Sequence, residues 1–301
     1  MKLTSAEGNI LAKSKFRAWI TYVDDLNNKT PSQAKSAASV LTENFYDNAV
    51  LSKMLNIAMK DKSTQTLAIK LQGQRLENWK TGNVDPLRVL QLLKLDQRDI
   101  LKNPMLVSWM KYMDDFNARN PTKKMTMFDT FSHYLMNDRR LAKLLETGQK
   151  IPATKEISLA LQLEWFAKWE RMKFTPNDAF KAVGLKGTYE ATGPLLSDPA
   201  LYFWARYLTE FNQKHPSART SLIDTLRRNY ADEAIVDMIV AAKVVPTTKH
   251  SAENLELSLL RKWVLEKKNP VTIGRWLLAD KSGAMYTKYE AYYNAKWAAG
   301  A

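Results

Sequence analysis

The stretch SWMKYMDDFNARNP, residues 108–121, places Trp109, Tyr112 and Phe116 three and then four residues apart, so the three rings share one face of a helix. The same pattern returns as AWITYVDDLNNKTP and FWARYLTEFNQKHP. Trp19, Trp109 and Trp204 are followed at fixed distances by Tyr22, Tyr112 and Tyr207, by Leu26, Phe116 and Phe211, by Asn27, Asn117 and Asn212, and by Pro31, Pro121 and Pro216. The copies lie 90 and 95 residues apart.

A second block keeps step with the first. Trp79, Trp169 and Trp263 are each followed seven residues later by Pro86, Pro176 and Pro270. The distance from the first-block Trp to the second-block Trp is 60, 60 and 59 residues, so insertions fall in the links between units. Leu41, Phe131 and Leu226 correspond between the blocks, as do Leu51, Leu141 and Val236, and Met54, Leu144 and Ile239, all at helical spacing. Period-two alternation is scarce, so the chain reads as all-α: a tandem array of helical bundles of about 90 residues, with four or five helices each. The boundaries expected are 1–95, 96–185 and 186–279. Residues 280–301 are expected to act as a partial fourth repeat, a cap in which Tyr286, Tyr289, Tyr293 and Asn294 take the first-block positions.

The repeat core is assigned to Trp19, Tyr22, Trp79, Trp109, Tyr112, Trp169, Trp204, Tyr207 and Trp263. In each unit the Asn and Pro end the first helix, and the loop after the second Trp, WKTGNVDP in the first unit, leads into a helix with Pro in its first turn.

The 301 residues exceed the usual size of a single core, and nine Trp with 45% hydrophobic content indicate a folded chain. Without cysteine there is no disulfide framework, thiolate zinc site or Cys nucleophile. No apolar run is long enough to span a membrane, and the N-terminus lacks a signal peptide's apolar centre. The net charge of +14 is spread as +6, +4 and +4 over the three units, which speaks against a dedicated nucleic-acid groove.

Catalytic chemistry finds little support. Ser32-Gln-Ala-Lys35 and Lys80-Thr-Gly82 match two serine β-lactamase signatures, but the Ser-Asp-Asn element and the carrying sheet are missing. Asp24-Asp25 and Asp114-Asp115 recur at one repeat position, which marks a solvated helix face. His133, His215 and His250 fall at unrelated positions, so no metal site and no cofactor are assigned. The basic pairs Lys123-Lys124 and Arg139-Arg140 break the repeat and are the candidate partner contacts.

The arrangement resembles the tandem WY and LWY repeats of RxLR effector proteins from oomycete plant pathogens. The resemblance rests on the three Trp-x-x-Tyr copies, the second-block Trp and Pro, and the Leu-rich linker LQLLKLDQRDILKNPML. It implies an elongated, monomeric array with rigid joints built around Leu95 and Leu185, the third counterpart being Ala279. The family's Arg-x-Leu-Arg motif is absent from this sequence, as expected if a leader has been removed. The resemblance further implies secretion, entry into the plant cell and suppression of immunity through a host protein. Some members are similar to regulatory subunits of protein phosphatase type 2A and recruit its scaffold subunit and catalytic core. Others bind autophagy or trafficking proteins. The contrasting expectation, from charge alone, is a helical repeat that binds nucleic acid.

Overall fold

The computed structural model describes residues 10–44, 48–95, 100–103, 105–135, 137–187, 195–278 and 283–297. Ala279, the expected third linker position, lies outside them. The first repeat contains α1 (Ser14–Lys29), α2 (Ala37–Asn44), α3 (Asn48–Ala58), α4 (Gln65–Thr81) and α5 (Pro86–Leu93). The second contains α6 (Met105–Arg119), α7 (Met127–Leu135), α8 (Asp138–Gly148), α9 (Pro152–Arg171) and α10 (Pro176–Ala182). The third contains α11 (Pro199–Lys214), α12 (Leu222–Asn229), α13 (Asp232–Lys243), α14 (Lys249–Leu265) and α15 (Pro270–Leu278), and α16 (Gly283–Trp297) follows. No strand occurs among the described residues.

The repeated polar residues set the turns. After α1, α6 and α11 the chain enters a single 3-10 turn at Pro31, Pro121 and Pro216. The Asn eight residues after each Trp closes that turn with two hydrogen bonds. Asn117 donates to the Met125 carbonyl at 2.8 Å and accepts from the Met125 N–H at 2.9 Å. Asn27 does the same with Lys35, and Asn212 with Thr220.

A second shared turn follows the second-block Trp. Asn83, Lys173 and Lys267, each four residues after that Trp, all adopt the left-handed conformation, with φ of 49°, 56° and 52°. The next N–H, of Val84, Phe174 or Lys268, bonds back to the carbonyl of Trp79, Trp169 or Trp263 at about 3 Å, which terminates the helix. Asp85 and Thr175 then cap α5 and α10, with Pro86 and Pro176 in the first turn, where a missing N–H costs nothing.

By contacts the chain divides into two compact units, residues 1–136 with 151–164, and 137–150 with 165–301. In the first, α4 packs on α2, α3 and α6, while α5 packs on α6 and α7. Its core includes Leu41, Leu51, Leu71, Leu90, Leu95, Trp109 and Phe131. In the second, α11 packs on α8 and α10, α14 on α12, α13 and α16, and α15 on α16. Its core includes Leu141, Leu185, Leu226, Ile239, Phe180, Phe203, Trp204 and Trp263. Met54 and Leu144 are only half-buried, unlike their counterpart Ile239.

Candidate functional site

The Trp-x-x-Tyr pair is a clip between consecutive repeats. Trp109 of α6 donates its indole N–H to the Pro86 carbonyl at 2.9 Å, and Tyr112 donates its phenol to the carbonyls of Trp79 and Val84. In the second compact unit, Trp204 of α11 donates to the Pro176 carbonyl and Tyr207 to the Phe174 carbonyl, both at 2.7 Å. Tyr289 of α16 donates likewise to the Lys268 carbonyl. The loop before each short helix turns through the left-handed residue and a proline, so it buries carbonyls without intraloop donors. A rigid ring that is apolar along its body and polar at its tip supplies them. Burial pushes the phenols upward, to about 12 for Tyr207 and Tyr289, so they stay donors even in alkaline solution.

A second contact supports the first two of these clips. Tyr134 donates to the Leu95 carbonyl at 2.9 Å, and Tyr230 donates to the Leu185 carbonyl. The clip in the second unit is also aromatic: Trp169 meets Tyr207 and Trp165 meets Phe203 at centroid distances of 4.8 Å.

Trp109, Tyr112, Trp169, Trp204, Tyr207 and Trp263 are buried, Trp109, Trp204 and Trp263 completely. Trp79 is half-buried beneath the guanidinium of Arg75, 4.7 Å from its ring centre. The first copy differs from expectation. Trp19 is half-buried and Tyr22 is 62% exposed, so Tyr22 is not a core residue. In the later copies the motif grips the loop of the repeat before it.

The basic pairs separate. Lys123 and Lys124 are exposed around the 3-10 turn after α6, and Arg140 is exposed in the first turn of α8. Arg139, expected as a partner contact, is a structural residue instead. It pairs with Asp198, which is 7% exposed, and donates to the Gly184 carbonyl at 3.2 Å. Lys143 adds a second cation 3.1 Å from the same carboxylate, and the Ala200 N–H bonds it at 2.9 Å. Burial raises the affinity of Asp198 for a proton, but the bonds from Arg139, Ala200 and Lys143 prevail and hold its carboxyl below the usual range.

The duplicated carboxylates serve ion pairs, Asp24 with Lys70 at 2.5 Å and Asp115 with Lys80 at 2.6 Å. Lys80-Thr81-Gly82 lies at the end of α4. His215 bonds Glu170 at 2.9 Å. Among the described residues no group of three His, Asp or Glu is placed to hold a metal ion, and no helix is long and apolar enough to cross a membrane.

Sequence reasoning missed Arg75, only 1% exposed, which donates to Ser52, Gln72 and Asn48 at 2.7–3.1 Å. Burial lowers its pKa to about 10. The signal was available, because the corresponding positions are Trp165 and Leu259.

The fold and its clips define an all-helical tandem-repeat protein. No family model matches the chain. It is 35% identical over 290 residues to RxLR effector protein PSR2 of Phytophthora infestans, a match that covers 96% of this chain and 37% of that protein. It is 29% identical over 273 residues to RxLR effector protein PSR2 of Phytophthora sojae, covering 90% of this chain and 40% of the other. The crystal structure of PcRxLR12 aligns with a TM-score of 0.68 at 27% identity, over 95% of this chain and 71% of that one. The chain is a homologue of the RxLR effector proteins of oomycetes, and it spans about two fifths of the length of the two PSR2 relatives.

Proposed function

We propose that this chain acts inside the plant cell as an effector adaptor that suppresses immunity by holding a host protein. The finer reading is that the host protein is the scaffold subunit of protein phosphatase type 2A, captured with its catalytic subunit in place of a host regulatory subunit. The observation that carries the proposal is the clip together with the effector homology. Trp204 and Tyr207 grip the Pro176 and Phe174 carbonyls, so the first helix of the third repeat is held to the loop before α10. A surface built of packed helical repeats suits another helical repeat. The residues that vary between repeats, Lys123 and Lys124 among them, are free to set the choice of partner.

The test is capture from plant extract. Scaffold and catalytic subunits should be recovered without the host regulatory subunit, and deletion of residues 96–185 should abolish recovery. That deletion removes one 90-residue period, so α11 can still meet the loop before α5. Recovery of the complete host holoenzyme, or of no phosphatase, would reject the phosphatase reading. Recovery of an autophagy or trafficking protein would keep the adaptor and replace its target. Tight nucleic-acid binding that persists at about 200 mM salt would overturn both.

A further inference from the structure

A pocket of about 330 Å³ opens in the second compact unit, where the loop before α10 meets the turn after α11 and the helix α12. Arg219, Arg227 and Arg228 line it together with Asp224, Thr225 and Thr175. Two of these charges are already neutralised. Arg227 forks onto Asp232 at 2.7 Å and Glu266 at 2.5 Å, and Asp224 pairs with Lys262 at 2.7 Å. Two are not. The Arg219 Nε donates to a backbone carbonyl, that of Asn212, at 3.2 Å, and both Arg219 and Arg228 are exposed. Neither has an acidic partner among the described residues. The hydroxyl of Thr225, a residue 1% exposed, has no hydrogen-bond partner in the wall of the same pocket.

We propose that this pocket docks a phosphorylated serine or threonine side chain of a peptide. A carboxylate is satisfied by one guanidinium, whereas two uncompensated guanidiniums on one cavity match the double charge of a phosphate monoester. The planar fork of arginine suits its oxygens, and two arginines without acidic partners can meet it without breaking an existing ion pair. The repeat supplies an internal comparison. One repeat earlier the positions of Arg219 and Arg228 hold Lys124 and His133, and in the first repeat they hold Ala34 and Glu43. Basic residues thus stand at these positions in the two repeats whose Trp-x-x-Tyr clip engages a preceding loop, and not in the first.

The inference does not depend on which host protein the chain holds, because it is read by direct binding to the full chain. Four probes are titrated calorimetrically: capped Ala-phosphoserine-Ala, the same peptide unphosphorylated, the same peptide with glutamate, and inorganic phosphate. The phosphoserine peptide should bind the tightest of the four, and the variant R219A/R228A should weaken it by about tenfold or more. R261A, which removes an exposed arginine outside this pocket, should leave it unchanged. Equal affinity for the double variant, for the glutamate peptide or for inorganic phosphate would overturn the proposal, as would no binding of the phosphoserine peptide. Comparison of probes on the unaltered chain keeps the test decisive whatever the double variant does to stability.

Discussion

The phenol of Tyr207 reaches out of its own repeat and donates to the backbone carbonyl of Phe174 in the preceding one, across 2.7 Å. The same bond joins Tyr112 to Val84 and Tyr289 to Lys268, whereas Tyr22 projects to solvent. Tyr207→Phe removes a donor and strands a buried carbonyl, so it should cost about 1–2 kcal/mol. Tyr22→Phe should change stability by less than about 0.5 kcal/mol. Urea unfolding followed by tryptophan fluorescence distinguishes the two, and equal losses would contradict the clip.

Trp109 is completely buried and hydrogen-bonded to Pro86, so Trp109→Ala should cost about 3–5 kcal/mol. The loss should show first as faster amide exchange in α4, α5 and α6, because stability in arrays is local and nearest-neighbour. Uniform acceleration along the whole chain would argue otherwise.

Arg139→Ala leaves the Asp198 carboxylate buried with Lys143 as its remaining cation, and should cost about 3 kcal/mol. Lys123→Ala and Lys124→Ala touch exposed side chains and should each stay within about 0.5 kcal/mol. Thermal melts of the three variants give the ranking, and a stable Arg139→Ala would remove the residue from the joint.

Acid should loosen the second unit. Asp198, Asp232 and Glu256 are pushed up by burial but are held below their unfolded values by Arg139, by Arg227 and Trp263, and by Lys243 and Lys288 respectively. A depressed carboxyl contributes its full stability above the unfolded pKa and loses it as pH falls through the folded one. The melting temperature should therefore be nearly flat from about pH 8 to 5 and fall below about pH 4. Asp198→Asn should be less stable at neutral pH and less sensitive to acid, and an unchanged acid slope would contradict the assignment.

Lys94 ends α5 in the left-handed conformation, φ 48°, where the next repeat has Gly184 at φ 66°. Lys94→Gly should therefore be neutral or gain up to about 1 kcal/mol, and Gly184→Ala should lose about that much. Denaturant midpoints read both, and a loss on Lys94→Gly would show that the side chain contributes more than its backbone costs.

The helical array was legible because Trp, Asn and Pro each do one repeated job. Asn117 shows this: its spacing to Met125 is the turn it closes. The direction of the clip was not legible, since Trp109 and Tyr112 look the same in sequence whether they face their own bundle or the previous loop. Arg139 was misread because its partner lies 59 residues away, beyond any local spacing. Lys173 and Lys267 gave no warning of a left-handed turn, since lysine seldom adopts it, whereas Asn83 is of a type that does. Arg75, by contrast, stood out only by comparison with Trp165 and Leu259, a contrast that needs the repeats aligned first.

The hydrogen bonds of the clip fall on main chain: Val84, Phe174 and Lys268 carry different side chains, yet each offers the same carbonyl. A cassette cut at these seams therefore carries donors that any of the three loops can accept, while the rings packed around them differ from seam to seam. Duplication or recombination between genes can then reorder cassettes with the hydrogen-bonded seam kept, and each copy's outward face is free to diverge on its own.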